Sequence, residues 1–186
     1  MRIEQGEVVI RSATVDDAAQ LNNWWNDGEV MAHAGFPNGL GESLDDTIRN
    51  ILQWEGKLSQ LCLIEIQGKQ AGELSYRVKD DGTAWPGWKI CVSDYQNQGY
   101  GTKIILMLFD FLFSDKTINS RFPIEKIIWD TDFENKRAQT VYENKIKARK
   151  IGIRENAWKD QSGTWRSAVD YEISRDDFIA LHRERV

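Results

Sequence analysis

The feature that most constrains this chain is a glycine-containing turn that joins a strand to a long apolar helix. Residues 88–92 predict a strand, and Gly99 and Gly101 follow it. Nine of the ten residues in 104–113 are apolar, and a run of that length favours a buried helix over another strand. Because glycines let backbone N–H groups crowd together at the start of a helix, this turn is suited to bind a phosphate.

The rest of the chain alternates between short strands and amphipathic helices. Capping boxes at 14–17 and 43–46 predict the starts of two helices. The buried side of the second helix is expected to carry Leu44, Ile48, Ile51 and Leu52. The predicted strands are 8–11, 61–66, 71–78, 88–92, 125–130, 148–154 and 165–173, and further helices are predicted at 104–113, at 132–145 and after Ser174. Strands and helices mixed at this spacing predict an α+β or mixed α/β fold, with an antiparallel meander in its middle.

Two nucleotide-binding motifs compete as explanations of the glycine turn. A P-loop needs Gly-Lys-Ser/Thr, whereas residues 101–103 are Gly-Thr-Lys. A dinucleotide fingerprint needs a third glycine at the position where Ile104 stands. Both motifs are excluded, and on these residues alone an ordinary strand-to-helix turn is the alternative to a phosphate site.

Composition and charge narrow the classes of partner and compartment. The chain has 186 residues with 24 basic and 29 acidic side chains, a net charge of −5 that argues against a nucleic-acid binder. The longest apolar stretch, 104–113, is too short to cross a bilayer, and the N-terminal residues lack a signal-peptide pattern. Cys62 and Cys91 have no metal-binding spacing, and there are only two histidines. We expect one cytoplasmic domain, 1–186, with no metal, nucleic-acid partner or membrane partner.

Two segments, in register with the predicted element order, resemble a known enzyme family. The Gln-x-x-Gly-x-Gly of 96–101 is similar to a signature of the GNAT N-acetyltransferases, and 135–143 resembles that family's Asn-x-x-Ala…Tyr-Glu segment. The resemblance covers 8–179 and is nearest to the aminoglycoside 6′-N-acetyltransferase and ribosomal-protein N-terminal acetyltransferase branches. It implies a mostly antiparallel, twisted central sheet of six to seven strands flanked by helices, splayed between the strand before the glycine turn and its neighbour.

The resemblance implies acetyl-CoA as co-substrate and assigns its binding to three places. Backbone groups at the end of the strand would pair with the pantetheine amides, and these belong to Ile90, Cys91 and Val92. The N–H groups of the turn would hold the pyrophosphate, and these belong to Gln98, Gly99, Tyr100, Gly101 and Thr102. Asn135 would hydrogen-bond the cofactor arm, with a helix-capping asparagine as the alternative. The family's Gly-Phe pair after Tyr-Glu is replaced here by Ile146 and Lys147, so the helix is expected to end differently.

The resemblance also implies a catalytic tyrosine and a general base, although residues 88–92, the strand where many relatives carry a glutamate, hold no carboxylate. Tyr142 would donate a proton to the departing thiolate, with a core aromatic residue as the alternative. Glu73 is the leading candidate for the base, with Asp94 and Asp130 behind it and an exposed glutamate without function as the alternative. The amine would attack the thioester directly in a ternary complex.

The acceptor is expected to be a small cationic amine or a protein N-terminus, bound between the first helices and the last hairpin. That surface would carry Trp24, Trp25, His33, Asp45, Asp46 and Trp158. A non-catalytic CoA-binding regulatory module is the alternative function. Both a monomer and a homodimer fit the sequence.

Overall fold

The computed structural model describes residues 1–54, 56 and 58–182. Within them the strands are β1 Arg2–Gln5, β2 Val8–Ser12, β3 Ser59–Ile66, β4 Lys69–Val78, β5 Thr83–Ile90, β6 Lys126–Asp132, β7 Arg149–Lys159 and β8 Trp165–Ser174. They form one eight-stranded sheet in the order β1-β2-β3-β4-β5-β6-β8-β7. The pairing is antiparallel except between β5 and β6, which run parallel.

Helices connect these strands on both sides of the sheet. They are α1 Ala18–Asn26, α2 Gly28–Met31, α3 Leu44–Gln53, α4 Tyr100–Ser114, α5 Lys116–Asn119, α6 Lys136–Val141 and α7 Arg175–His182. The predicted capping box at the start of α3 is formed, with Ser43 and Asp46 bonding each other's backbone N–H groups. Among the described residues no helix is both long and apolar enough to span a membrane.

The strand period of two divides the residues of the sheet between two faces. On the face packed by α4, Leu74 and Tyr76 of β4 join the larger core cluster together with Phe109. On the face packed by α1 and α3, Leu61 and Leu63 of β3 join a second cluster. We call these the α4 face and the α1 face. Residues that alternate with Leu74 along β4 therefore lie on the α1 face.

The sheet splays between β5 and β6. Thr83 pairs with Lys126 and Ala84 with Ile127, and the pairing stops there although β5 continues to Ile90. The open ends of the two strands therefore form the walls of a gap, as the sequence led us to expect.

Pro86 supplies a physical reason for this gap. The N–H of Cys91 donates to the carbonyl of Ala71 on β4, so the alternation of an antiparallel pair turns the N–H groups of Ala84, Pro86, Trp88 and Ile90 toward β6. After Ala84, the next residue of β5 that could donate a hydrogen bond to β6 is residue 86, and as a proline it has no N–H to donate. The β5–β6 ladder ends at the first position where β5 has no N–H to donate.

Three sequence-based expectations, one on the number of strands and two on where elements begin, differ from the structure. The sheet has eight strands in the described residues instead of six to seven, because Arg2–Gln5 adds an edge strand beside β2. β5 begins at Thr83, five residues before the predicted strand, since Pro86 lies where no hydrogen bond to β4 is lost. The helix predicted from 132 begins at Lys136, because Asp132 still pairs with Ala168 in the sheet.

The predicted buried side of α3 is wrong at both of its ends. Leu44 and Leu52 are each 47% exposed, whereas Ile51 is buried. Thr47 takes the central buried position instead, and its hydroxyl accepts a hydrogen bond from Asn22 of α1. The polar contact turns α3 so that the two leucines at its ends face outward.

Candidate active site

The glycine turn presents unpaired backbone donors at the start of α4. Gly99 is the N-cap in the left-handed region, with φ of 87°, and no side chain caps the helix there. The first intrahelical bond runs from the Lys103 N–H to the Gly99 carbonyl. Among the described residues, the N–H groups of 98–102 have no hydrogen bond to a protein acceptor, and those in the first turn of α4 are aligned with the helix dipole.

The structure requires a glycine at only one of the two glycine positions of this turn. The positive φ of Gly99 is a backbone conformation that favours glycine. Gly101 has no such reason, because a Cβ there would meet only the Cδ1 of Ile90, at 4.0 Å. Gly101 thus leaves the backbone at the start of the helix open to a close approach from outside the chain.

A pocket of about 460 Å³ opens beside the turn, between the start of α4 and the end of β1. Gly6, Gly99 and Lys103 are among the residues that line it. The Tyr100 hydroxyl donates to Glu7 Oε1 at 2.8 Å and ties the start of α4 to the β1–β2 turn. The free N–H groups and the ammonium of Lys103 make this pocket suited to an anion.

Of the three residues expected to contact pantetheine, two already use their N–H groups in hydrogen bonds within the protein. The N–H groups of Cys91 and Val92 both donate to the Ala71 carbonyl, at 2.9 and 3.1 Å. The N–H of Ile90 faces the gap, by the alternation that places Pro86, and its carbonyl accepts from Gln96 Nε2 at 3.0 Å. Ile90 and Trp88 are therefore the residues of β5 whose backbone groups face the gap beyond Pro86.

Tyr142 lies beside the gap, on the α4 face. It is 6% exposed, and its ring contacts those of Trp88, Trp129 and Tyr171 with centroids 5.3 to 5.7 Å apart. Burial raises the pKa of its phenol, and hydrogen bonding from Trp88 and Thr131 opposes only part of that rise. The phenol is thus a neutral proton donor throughout the physiological pH range.

Trp129, on β6 across the gap from Trp88, carries an unsatisfied donor. Its side chain is 3% exposed, and among the described residues its buried indole Nε1 has no hydrogen-bond partner. A buried donor left without an acceptor costs about 1–3 kcal/mol. This donor and those of 98–102 are polar groups around the gap and the turn that the described protein leaves unsatisfied.

Asn135 caps a helix, which is one of its two predicted roles, and keeps a free donor for the other. Its Oδ1 accepts from the Ala138 N–H and caps α6, as the alternative interpretation had it. The Nδ2 of Asn135 has no acceptor among the described residues and is available to a ligand. Capping and ligand binding therefore use different atoms of one side chain.

Glu73 lies on the α1 face, on β4. Its Oε2 accepts from Trp25 Nε1 at 2.8 Å, and its Oε1 lies 3.5 Å from Lys89 Nζ. The side chain is 14% exposed and lines a pocket of about 290 Å³ together with Trp25, Trp54 and Lys89. Trp88 also lines this pocket, so one residue borders both the pocket and the ring of Tyr142.

The other two candidates for the base do not line the Glu73 pocket. Asp130 is exposed and binds Arg154, which also binds Asp170. Asp94 is exposed in the turn that follows β5 and is not among the residues that line the Glu73 pocket. Glu73 is the one of the three that lines a pocket bordering Trp88.

The expected acceptor surface is partly rearranged. Trp24 and Trp25 are buried in α1, and His33 is exposed. Gln161, in the turn between β7 and β8, is hydrogen-bonded to the loop that contains Gly35 and Gly39, and we call this contact the Gln161 clasp. Gln161 donates its N–H to the Gly35 carbonyl at 2.7 Å and its Nε2 to the Gly39 carbonyl at 2.9 Å. Trp158 packs so closely on Gly35 that a Cβ at that glycine would lie 2.1 Å from the indole.

A family model described as an acetyltransferase (GNAT) domain matches residues 7–145, which is more than half of the chain. The chain belongs to the GNAT acetyltransferase family. This confirms the family and the enzyme class inferred from the two sequence segments. No curated protein matches the chain.

Solved structures of acetyltransferases share the fold over nearly the whole chain. RimL, a ribosomal alpha-N-protein acetyltransferase in complex with coenzyme A, is 15% identical with a TM-score of 0.81, covering 95% of this chain and 99% of that one. A spermidine N-acetyltransferase from Vibrio cholerae, in complex with CoA and spermine, is 16% identical with a TM-score of 0.80, covering 94% and 99%. The aminoglycoside acetyltransferase AAC(6')-Ib in complex with coenzyme A is 22% identical with a TM-score of 0.71, covering 94% and 98%. These likenesses confirm the fold.

The departure from the usual GNAT Gly-Phe pair has a structural counterpart. Residues Tyr142–Ile146 form a π-helical turn that continues α6. Lys147 then takes the left-handed conformation, with φ of 60°, and the Ala148 N–H bonds back to the Tyr142 carbonyl at 2.9 Å. The π turn accommodates an extra residue, so the left-handed position that a glycine would adopt freely falls one residue later, on a lysine.

Three residues of this GNAT site were not singled out from the sequence. Pro86 lies where the β5–β6 pairing ends, Trp129 brings an unsatisfied donor to the gap, and Lys89 pairs with Glu73. A proline inside a strand is a visible signal of a broken ladder. Nothing in the sequence pairs Lys89 with Glu73, because that contact depends on the register of β4 against β5.

Proposed function

We propose that this GNAT protein is an N-acetyltransferase that moves an acetyl group from acetyl-CoA to a primary amine. The observation that carries the proposal is the set of unpaired N–H groups of 98–102 at the start of α4, next to a gap walled by β5 and β6. The three coenzyme A complexes reported among the similar structures support the same donor. We propose one catalytic domain over 1–186, in the cytoplasm, since Cys62 and Cys91 are both free and buried.

The chain fits acetyl-CoA at three points. The pyrophosphate would lie on the N–H groups of the turn, with Gly101 leaving room for its approach and Lys103 adding charge. The pantetheine arm would lie in the gap, where Ile90 offers an N–H, and the Nδ2 of Asn135 would bind the same arm. When bound, acetyl-CoA supplies an acetyl group activated as a thioester.

The two catalytic side chains would act from opposite faces of the sheet. Glu73, on the α1 face, would hold the acceptor ammonium and take its proton, because an amine must be neutral to attack. Tyr142, on the α4 face, would give the proton of its hydroxyl to the departing thiolate. The gap lies between them, so the amine reaches the thioester directly and no acetyl group is carried by the protein.

The amine would enter through the pocket lined by Glu73, Trp25 and Trp54. A volume of about 290 Å³ suits one small molecule, and the Gln161 clasp closes the neighbouring surface. The geometry favours a small amine over a protein N-terminus, which would need an open groove for the chain that follows it.

The experiment compares thermal unfolding with acetyl-CoA, CoA, ATP and NADH, followed by release of free thiol with a panel of amines. A ligand at 100 times its Kd stabilises a fold by about 2.7 kcal/mol. Stabilisation by acetyl-CoA and CoA but by neither nucleotide, with amine-dependent thiol release, is the expected result. Stabilisation without thiol release from any amine would instead indicate a CoA-binding regulatory module. The absence of any shift would overturn the proposal.

A further inference from the structure

The Glu73 pocket has two aromatic walls whose orientations are fixed. Trp25 is held by its hydrogen bond to Glu73. Trp54 is held by Nε1 donating to Asn50 Oδ1 at 3.2 Å, and the guanidinium of Arg77 lies 4.4 Å from the centre of its ring. Because both indoles are fixed before any ligand arrives, the pocket is preorganised for a flat or branched apolar group.

The charges of this pocket cancel. Among its described lining residues, Glu73 and Lys89 are the charged side chains, and they face each other with Nζ and Oε1 3.5 Å apart. The two side chains are 14% and 23% exposed, so each is largely withdrawn from water. Lys89 Nζ has Met31 Sδ at 2.8 Å as its other neighbour, which is a weak acceptor and carries no charge.

This pairing limits which amine can bind. An ammonium that takes Glu73 Oε1 replaces Lys89 as the counter-ion. A purely cationic acceptor then leaves Lys89 partly buried without a negative partner, which is unfavourable. An acceptor that carries its own negative group next to the amine satisfies both charges at once. The separation of 3.5 Å suits an ammonium and a carboxylate joined through one carbon.

We infer that the acceptor is an α-amino acid with an apolar or aromatic side chain, its ammonium on Glu73, its carboxylate on Lys89 and its side chain between Trp25 and Trp54. This inference rests on the proposed function and names the substrate class of the same site. In the reaction a bond forms between the α-nitrogen and the acetyl carbon, and the bond from that carbon to sulfur breaks. One ammonium proton passes to Glu73 before the attack, and the thiolate takes the proton of Tyr142. The second proton of the nitrogen, lost as the amide forms, returns to the Tyr142 oxygen.

The test uses pairs of amines that differ by one carboxylate. Phenylalanine is compared with phenethylamine and leucine with isoamylamine, and spermidine serves as the polycation. Binding is followed by the tryptophan fluorescence of the protein in the presence of CoA, and acetylation by thiol release from acetyl-CoA. The variants are Lys89→Met, which removes the charge, and Lys89→Arg, which keeps it. Lys79→Met is the matched control, because Lys79 lies over Trp85 outside this pocket.

The wild type and Lys79→Met are expected to prefer each amino acid over its amine by about 10-fold or more, as hydrogen bonds to charged groups contribute. Lys89→Met is expected to lose that preference, and Lys89→Arg to keep most of it. Equal or better binding of phenethylamine and isoamylamine to the wild type would overturn the inference. So would a failure of both amino acids to bind when acetyl-CoA still stabilises the protein. Absence of that stabilisation would instead defeat the proposed function.

Discussion

The ring of Trp88 lies edge-on to the ring of Tyr142, with centroids 5.7 Å apart and planes at 88°. Trp88 also lines the Glu73 pocket on the other face of the sheet. One residue of β5 thus borders both the proposed acid and the acceptor pocket. A substitution at Tyr142 that keeps the ring should preserve its contact with Trp88 and remove only the hydroxyl.

Tyr142→Phe tests the general acid directly. We expect kcat to fall by about 100-fold, the lower range for loss of one positioned proton donor, while the stabilisation by acetyl-CoA stays unchanged. Because burial raises the pKa of the Tyr142 phenol, the wild-type rate should show no loss from its ionisation below about pH 10. Steady-state rates from pH 6 to 10 provide the check. A variant as active as the wild type would remove Tyr142 from the mechanism.

Gly101→Ala separates the stability of α4 from its ligand binding. No atom of the described protein lies closer than 4.0 Å to the added Cβ, so the helix should gain about 0.5–1 kcal/mol of stability. The same methyl group would stand where the pyrophosphate approaches, and the affinity for acetyl-CoA should fall. Urea unfolding and titration calorimetry measure the two effects. Gly152→Ala, where a Cβ also meets nothing within 4 Å, is the control. An unchanged affinity would mean that the ligand does not contact this turn.

Asp17 gives the fold a predictable response to acid. Arg11 donates to both of its carboxylate oxygens, at 2.7 and 2.8 Å, and these hydrogen bonds lower the pKa of Asp17. The stability that they supply is present above the unfolded carboxyl's pKa of about 3.9 and is lost as the pH falls through the lower folded pKa. Asp17→Asn should cost about 1.5–3 kcal/mol at pH 7, the range for hydrogen bonds to charged groups, because Arg11 keeps its bond to Glu65, and less at pH 2. Urea midpoints at both pH values decide it, and an equal loss at the two would contradict the pairing.

Local patterns explain what the sequence could predict. The box of Ser43 and Asp46 and the turn at 96–101 each lie within a few residues, so their chemistry can be recognised without the fold. The exposure of Leu44 and Leu52 could not be predicted, because it depends on a hydrogen bond from α1 to Thr47. A helix pattern identifies an apolar stripe, but a distant partner sets the rotation of the helix about its axis.

The catalytic candidates follow the same rule. Tyr142 was found because it lies within a motif of consecutive residues. Its aromatic neighbours come from β5, β6 and β8, and no sequence spacing brings them together. Lys89 likewise meets Glu73 only through strand register. The candidate site is therefore predictable where one segment builds it, and not where the sheet assembles it.

Pro86 connects strand register to function and gives the last prediction. Pro86→Ala restores an N–H at the rung where the β5–β6 ladder ends, so that Ile128 of β6 can pair with β5 and the gap should narrow. We expect weaker acetyl-CoA binding and slower acetylation, with slower hydrogen exchange at the new amide of residue 86. Trp85→Ala, one residue away, is the control, since Trp85 is 41% exposed and its N–H faces β4. If Pro86→Ala binds acetyl-CoA as tightly as the wild type, then the splay does not depend on the missing donor. The divergence of β6 would then have to be set by the aromatic side chains of Trp88 and Trp129, which lie 5.9 Å apart across the gap.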